Sequence, residues 1–208
     1  MVYIRIASAL IALVYWIAEP IGGDGSMFNS LVKTAPVTLL ALSVVPTGRW
    51  LLVAALALGA LGDFCLSRPS DLWFMGGMGA FALAHVLYIV LFLHLPARVR
   101  WVPMGLLVAY GAVMAVVLWD GAGDLRVPVM AYIAVIIGMG LAALSRAQGP
   151  VFGVLLAGAA LFIVSDSLLA ANLFLAGGEL PGAFLVWPTY WLAQFALMWG
   201  FGRAGSDR

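Results

Sequence analysis

The chain has 208 residues, of which 65% are hydrophobic and only 9% are charged, and its mean hydropathy is +1.12. This composition excludes a soluble globular domain and is typical of an integral membrane protein. The formal net charge is +1, and no basic cluster is present that would neutralise a phosphate backbone, so we expect no nucleic acid partner.

The apolar residues fall into stretches of the length that crosses a bilayer, which is about 20 residues. Charged and Pro/Gly-rich breaks predict eight such helices, at 3–18, 30–46, 50–66, 72–94, 101–119, 127–145, 151–176 and 184–201. The first stretch lacks a basic leader and a small-residue cleavage site, so it reads as a retained helix. We therefore expect an all-α membrane protein, a bundle of eight transmembrane helices that forms one domain over residues 1–208.

The basic residues predict the orientation, because cytoplasmic loops carry an excess of Lys and Arg. A cytoplasmic N-terminus places these residues on that side: Arg5, Arg49, Arg98, Arg100, Arg146, Arg203 and Arg208. The opposite side receives Lys33, Arg68 and Arg126. With an even number of helices, both termini are then cytoplasmic. The use of Arg almost to the exclusion of Lys indicates a GC-rich bacterial genome, so we expect the bacterial cytoplasmic membrane.

Two acidic residues lie inside predicted membrane helices: Asp63 in LALGALGDFCL and Asp166 in GAALFIVSDSLLA. A carboxyl group in the hydrocarbon core is costly unless it faces protein or water, so such residues usually mark a functional site. Ideal helix rise places them about 21 and 24 Å from the cytoplasmic helix ends, in the outer half of a core about 30 Å thick. The alternative is a structural role, in which each carboxyl bonds to a neighbouring helix.

Further polar side chains are expected at compatible depths, and they are Lys33, His85, Tyr88, Ser165, Tyr190 and Gln194. Tyr88 follows His85 by three residues and Gln194 follows Tyr190 by four, so each pair shares a helix face. Structural alternatives stay open for these residues too. His85 can serve helix packing, Lys33 can extend to the headgroups, and Ser165 can bond to its own helix backbone.

Several chemistries are excluded by the motifs that the chain lacks. No G-x-S-x-G, H-E-x-x-H, P-loop or dinucleotide motif occurs. His85 and His94 are nine residues apart, on opposite faces of one helix, whereas a catalytic zinc usually takes three protein ligands. We therefore expect no metal and no cofactor. Cys65 is the only cysteine, which excludes an intrachain disulfide. Two carboxyls with polar neighbours favour either acid–base catalysis or proton-coupled transport of a lipid or amphiphile.

A family resemblance narrows this choice. The run GDFCLSRPSDLWFMGGMGAFALAHVLY resembles the G-D-x-x-L…F-x-x-G…F-x-x-x-H-x-x-Y signature of the YhhN-like lysoplasmalogenase family. GAALFIVSDSLLAANLF, TYWLAQF and KTAP are similar to its other elements and occur in the same order. In KTAP the proline, Pro36, stands three residues after Lys33, where the family pattern has it directly after the lysine. The resemblance implies eight helices and hydrolysis of the vinyl ether of lysoplasmalogens, giving a fatty aldehyde and glycerophospho-ethanolamine or -choline.

The polar residues suit this reaction. A vinyl ether is cleaved by protonation of its β-carbon, which gives an oxocarbenium ion that water captures, so the catalyst needs an acid and a negative charge. Two carboxyls divide this work in glycosidases. We expect Asp63, Asp166 and His85 to act in catalysis, with the acid left unassigned between the two aspartates. Lys33, Tyr88, Ser165, Tyr190 and Gln194 are expected to bind the lysophospholipid or the water. The substrate's alkyl chain is expected to lie between helices, and membrane lipid is expected as a further partner.

Overall fold

The computed structural model describes residues 1–18, 25–146 and 149–204, and these residues form helices and connections without a β-strand. The α-helices are α1 (Val2–Ala18), α2 (Met27–Val44), α3 (Trp50–Leu66), α4 (Asp71–Leu93), α5 (Trp101–Leu118), α6 (Arg126–Arg146), α7 (Phe152–Phe174) and α8 (Val186–Arg203). Their number and order within the described residues agree with the prediction. Arg208, which entered the count of basic residues, lies outside them.

The helices have the length and composition of a multi-pass membrane protein. Five apolar helical segments are long enough to cross a bilayer: Met27–Thr47, Asp71–Leu93, Trp101–Leu118, Gly123–Arg146 and Phe152–Phe174. The first and fourth of these include short 3-10 turns next to α2 and α6. Two further apolar helices, α1 and α3, have 17 residues each.

The second helix begins earlier than predicted. Ser26 caps α2 by accepting a hydrogen bond from the Asn29 amide, so the helix starts at Met27 rather than at residue 30. Lys33 therefore lies almost two turns inside α2, and Pro36 lies in the middle of the helix rather than near its start. The Pro36 carbonyl accepts a hydrogen bond of 2.8 Å from the Ser8 hydroxyl, which joins α1 to α2.

The helices pack unequally. α3 packs most extensively on α4, and α7 on α8, while α8 also touches α1, α2 and α3. α5 lies at the edge, against α6 and α7, and among its residues only Gly111 and Leu118 are buried. The central helices thus carry most of the core, and α5 forms an outer wall.

The α7–α8 contact depends on small residues. A Cβ added at Gly158 would lie 2.9 Å from Leu197 Cγ and 3.1 Å from the Leu197 amide nitrogen, which is part of the α8 backbone. Close approach of two membrane helices commonly uses glycine in this way. Gly153, one turn earlier in α7, is exposed and has no heavy atom within 4 Å of the corresponding Cβ position.

These two glycines allow a matched test of the helix contact. Gly158→Ala is expected to lower the free energy of unfolding by about 1–3 kcal/mol, the usual effect of overpacking. Gly153→Ala is expected to cause no loss, because the methyl group meets no neighbour. Thermal unfolding of both variants in the same detergent measures the difference. Equal stability of the two variants would contradict the close α7–α8 contact.

Candidate active site

A cavity of about 410 Å³ lies among the helices, and side chains from all eight of them line it. Its surface is mostly apolar and aromatic, but both intramembrane carboxyls, Asp63 of α3 and Asp166 of α7, face it. Lys33 of α2 is the basic residue among the lining residues that the structure describes. The structure thus brings together three polar groups that lie far apart in sequence.

Asp63 ends a chain of buried hydrogen bonds that begins on α4. Tyr88 donates to the Gln194 side-chain oxygen, the Gln194 amide group donates to the Tyr190 hydroxyl at 3.2 Å, and Tyr190 donates to Asp63 Oδ2 at 2.8 Å. Gly59 makes room for the Gln194 side chain, because a Cβ at position 59 would lie 2.3 Å from Gln194 Nε2. Every donor in the chain is directed towards Asp63, so the bond dipoles reinforce one another at its carboxyl group.

Asp166 has different neighbours. Tyr132 of α6 donates a short hydrogen bond to Asp166 Oδ2, and His85 Nε2 lies 3.9 Å from the same oxygen. His85 Nδ1 lies 2.7 Å from the Phe81 carbonyl, which can only accept, so Nδ1 carries the hydrogen of the neutral ring. The lone pair on Nε2 therefore points to the Asp166 side, and this buried atom has no hydrogen-bond partner in the described part of the chain.

An aromatic side chain separates the two polar groups. The Phe162 ring lies 4.5 Å from the His85 ring and 5.5 Å from the Tyr190 ring, measured between ring centroids. Lys33 and Asp63 both line the cavity, but no nitrogen–oxygen contact within 4.0 Å joins them among the residues described. Each carboxyl thus has its own tyrosine donor and a different second neighbour.

The predicted site residues divide into two layers. Lys33, Asp63, Ser165, Asp166 and Tyr190 line the cavity.

The remaining three predicted residues, His85, Tyr88 and Gln194, are fully buried behind these side chains. From these positions they contact Asp166 or the hydrogen bonds of Tyr190, and they do not line the cavity themselves. Ser165 donates to the Val186 carbonyl of α8 at 2.9 Å, not to its own helix. No cluster of three or more His, Cys, Asp or Glu side chains that would hold a metal ion occurs within residues 1–18, 25–146 and 149–204.

Tyr132 is a site residue that sequence reasoning missed. It lines the cavity and is the hydroxyl donor to Asp166. Membrane tyrosines commonly lie at helix ends near the headgroups. Tyr132 lies more than one turn inside α6, and this depth is the signal that distinguishes it from an interfacial residue.

Comparison with known proteins identifies the family. The YhhN family model matches residues 28–201, which include every polar residue of the site. The chain belongs to the YhhN family.

Several relatives of this YhhN-family chain carry the name lysoplasmalogenase. Human lysoplasmalogenase TMEM86B is 37% identical over 198 residues, which cover 92% of this chain and 82% of the human protein. The lysoplasmalogenase of Mycobacterium bovis is 33% identical over 197 residues, covering 88% of this chain and 74% of that protein. Rat lysoplasmalogenase TMEM86B is 35% identical over 195 residues, which cover 88% of this chain and 75% of the rat protein. No solved structure gives a significant match.

The chain of hydrogen bonds at Asp63 predicts a graded loss of stability. Tyr88→Phe leaves one buried oxygen of Gln194 without its donor, which typically lowers the free energy of unfolding by about 1–3 kcal/mol. Tyr190→Phe removes bonds to both Asp63 and Gln194, so its loss is expected to be larger. Tyr3→Phe, at a position 86% exposed, serves as the control. Thermal unfolding tests the order, and losses equal to that of Tyr3→Phe would contradict the bonding scheme.

Proposed function

We propose that this protein hydrolyses the vinyl ether bond of lysoplasmalogens, which yields a fatty aldehyde and glycerophospho-ethanolamine or -choline. The observation that carries the proposal is the pair of carboxyls from α3 and α7, which face one mostly apolar cavity within the membrane helices. The relatives named lysoplasmalogenase support the choice of substrate. An apolar cavity suits the alkyl chain, and the two carboxyls suit acid catalysis.

We assign Asp63 as the carboxyl that is ionised and supplies the negative charge. The hydrogen-bond donors of Tyr88, Gln194 and Tyr190 all point towards it, and Lys33 lines the same cavity. Donors fixed before the reaction stabilise charge without reorganisation. Asp63 is therefore placed to stabilise the oxocarbenium ion and to take a proton from the attacking water.

Asp166 is the carboxyl that we assign as the general acid. It has a tyrosine donor as Asp63 does, but its second neighbour is a neutral histidine with a lone pair directed towards it. The lone pair on His85 Nε2, 3.9 Å from Asp166 Oδ2, disfavours a negative charge on that oxygen and so favours the protonated carboxyl. Among the described residues, no Lys or Arg nitrogen lies within 4.0 Å of Asp166 to stabilise its ionised form. The difference between Lys33 and His85 is what separates the two roles.

The steps balance as a hydrolysis. Asp166 gives its proton to the β-carbon of the vinyl ether, and the positive charge spreads over the α-carbon and the ether oxygen. Water adds to the α-carbon and loses a proton to Asp63, which gives a hemiacetal. The bond between the α-carbon and the glycerol oxygen then breaks. The hemiacetal hydroxyl gives its proton to Asp166 as the aldehyde forms, and Asp63 returns its proton to the glycerol oxygen, so both carboxyls regain their starting states.

The remaining site residues position the reactants. We propose that Tyr190 and Ser165, which line the cavity, orient the water and the glycerol end, and that Lys33 attracts the negatively charged phosphate end. Tyr88 and Gln194 hold the Tyr190 hydroxyl against Asp63. His85 acts through Asp166.

We also propose that all eight helices cross the bacterial cytoplasmic membrane as one domain, with both termini in the cytoplasm. Support comes from the distribution of basic residues and from the length of the two shortest apolar helices. The 17 residues of α1 or α3 extend about 26 Å, close to the roughly 30 Å of the hydrocarbon core.

The central test is release of aldehyde from a synthetic lysoplasmalogen by the purified protein in detergent. Asp63→Asn and Asp166→Asn are each expected to lower the rate by about 10²–10⁴-fold, the range for loss of a general acid or base. Asp120→Asn, whose side chain is 97% exposed, is the matched control and is expected to keep the parent rate. No aldehyde from ethanolamine or choline substrates, together with their uptake by sealed proteoliposomes, would favour transport instead.

Hydrolysis in heavy water tests the chemistry of the acid step. Protonation at the β-carbon predicts a single deuterium on the carbon next to the aldehyde group, because the acid exchanges with solvent before it transfers its proton. Reduction of the aldehyde to the alcohol as it forms prevents later exchange, and mass spectrometry counts the deuterium. Aldehyde with no deuterium at that carbon would contradict the proposed protonation.

A further inference from the structure

The cavity is small for the substrate proposed above. Its volume of about 410 Å³ lies near the lower end of sites for drug-sized ligands, which range from about 300 to 1,000 Å³. A lysophospholipid carries a glycerophosphate headgroup and a long alkyl chain. If the vinyl ether lies between Asp63 and Asp166, part of the alkyl chain must leave the cavity between two helices.

The wall between α5 and α7 includes a side chain that reaches from the cavity to the surface of the bundle. Tyr110 of α5 lines the cavity and is also 40% exposed at the surface of the bundle, so one side chain separates the interior from the lipid. Ser167 of α7, the neighbour of Asp166, also lines the cavity. The two hydroxyls meet in a hydrogen bond of 2.6 Å that closes this wall.

The hydrogen bond between Tyr110 and Ser167 can open at low cost. Tyr110 donates to the Ser167 hydroxyl, which itself donates to the Ile163 carbonyl of its own helix at 2.7 Å. When the two helices separate, Ser167 keeps its bond to Ile163, and only the Tyr110 hydroxyl loses a partner. Elsewhere α5 packs on α6, with Gly111 against Ile137 and Leu107 beside Gly140, and it contributes Leu118 to a small apolar cluster.

We propose that the alkyl chain of the lysolipid enters and lies between α5 and α7, and that Tyr110 and Ser167 form the gate that controls this passage. The opening leads from the bilayer directly to Asp166. A substrate with a long chain then reaches the site from the membrane, whereas a short vinyl ether fits inside the cavity with the gate closed. The inference rests on the proposed function for the identity of the substrate, but not for the path of the alkyl chain.

The path can be mapped without any hydrolysis. The probe is a saturated 1-alkyl lysophospholipid, which lacks the vinyl group, with a photoreactive diazirine in the middle of its alkyl chain. After irradiation in nanodiscs, mass spectrometry is expected to find label on α5 and α7 around Tyr110 and Ser167, and an excess of unlabelled lysolipid is expected to remove it. Label around Leu10, an exposed residue in the middle of α1, should not be removed. Trp16 and Phe184 lie at the end of the cavity near the α7–α8 connection. The proposal would be overturned if the label that excess lysolipid removes lay around these two residues and not on α5 and α7.

Kinetics test the gate itself. Tyr110→Phe removes the hydrogen bond and keeps the ring, so kcat/KM for a long-chain lysoplasmalogen is expected to rise roughly two- to tenfold, the factor that one net hydrogen bond represents. For a short-chain vinyl ether, kcat/KM is expected to stay unchanged. Tyr3→Phe is expected to leave kcat/KM unchanged for both substrates. An equal effect of Tyr110→Phe on both substrates, or on neither, would refute the gate.

The two tests fail in different ways. If the parent protein releases no aldehyde from either substrate, the proposed reaction is wrong, while the labelling pattern still decides the path of the chain. If aldehyde forms but the competed label lies away from α5 and α7, the reaction stands and the gate is wrong.

Discussion

The need to satisfy two carboxyl groups inside an apolar bundle arranges most of the other polar side chains. Asp63 is only 3% exposed and the Asp166 side chain 15%, and a buried polar group without partners is costly. Tyr190 on α8 and Tyr132 on α6 supply the hydroxyl donors. These bonds join α3 to α8, which are distant along the chain, and α6 to α7, which follow one another. The same contacts that satisfy the carboxyls therefore also fix the helix arrangement around the cavity.

The first partner of each carboxyl is a tyrosine hydroxyl, and the two carboxyls differ in the second. Asp63 lies at the end of a directed series of donors and faces Lys33, whereas Asp166 faces the unprotonated nitrogen of His85. In a medium of low polarity such differences act strongly, because little solvent screens them. An asymmetric pair of this kind lets one site hold both an acid and a negative charge.

Much of the site was predictable because a polar residue in an apolar helix is conspicuous. Asp63, Asp166, His85 and Gln194 stand out in this way, and each lies at or directly behind the cavity. The sequence does not determine which residues meet, since lateral neighbours depend on how the helices pack. Tyr132 was missed for this reason: its role exists only because α6 lies beside α7. The early start of α2 depends on the Ser26 cap, a local signal that hydropathy does not register.

The first helix contributes to the enclosure in a different way from the others. α1 places Tyr15 and Trp16 in the cavity wall, yet it carries none of the hydrogen-bonded groups around Asp63 and Asp166, and it precedes the segment matched by the family model. Substitutions in α1 can therefore reshape the pocket without disturbing the reacting groups.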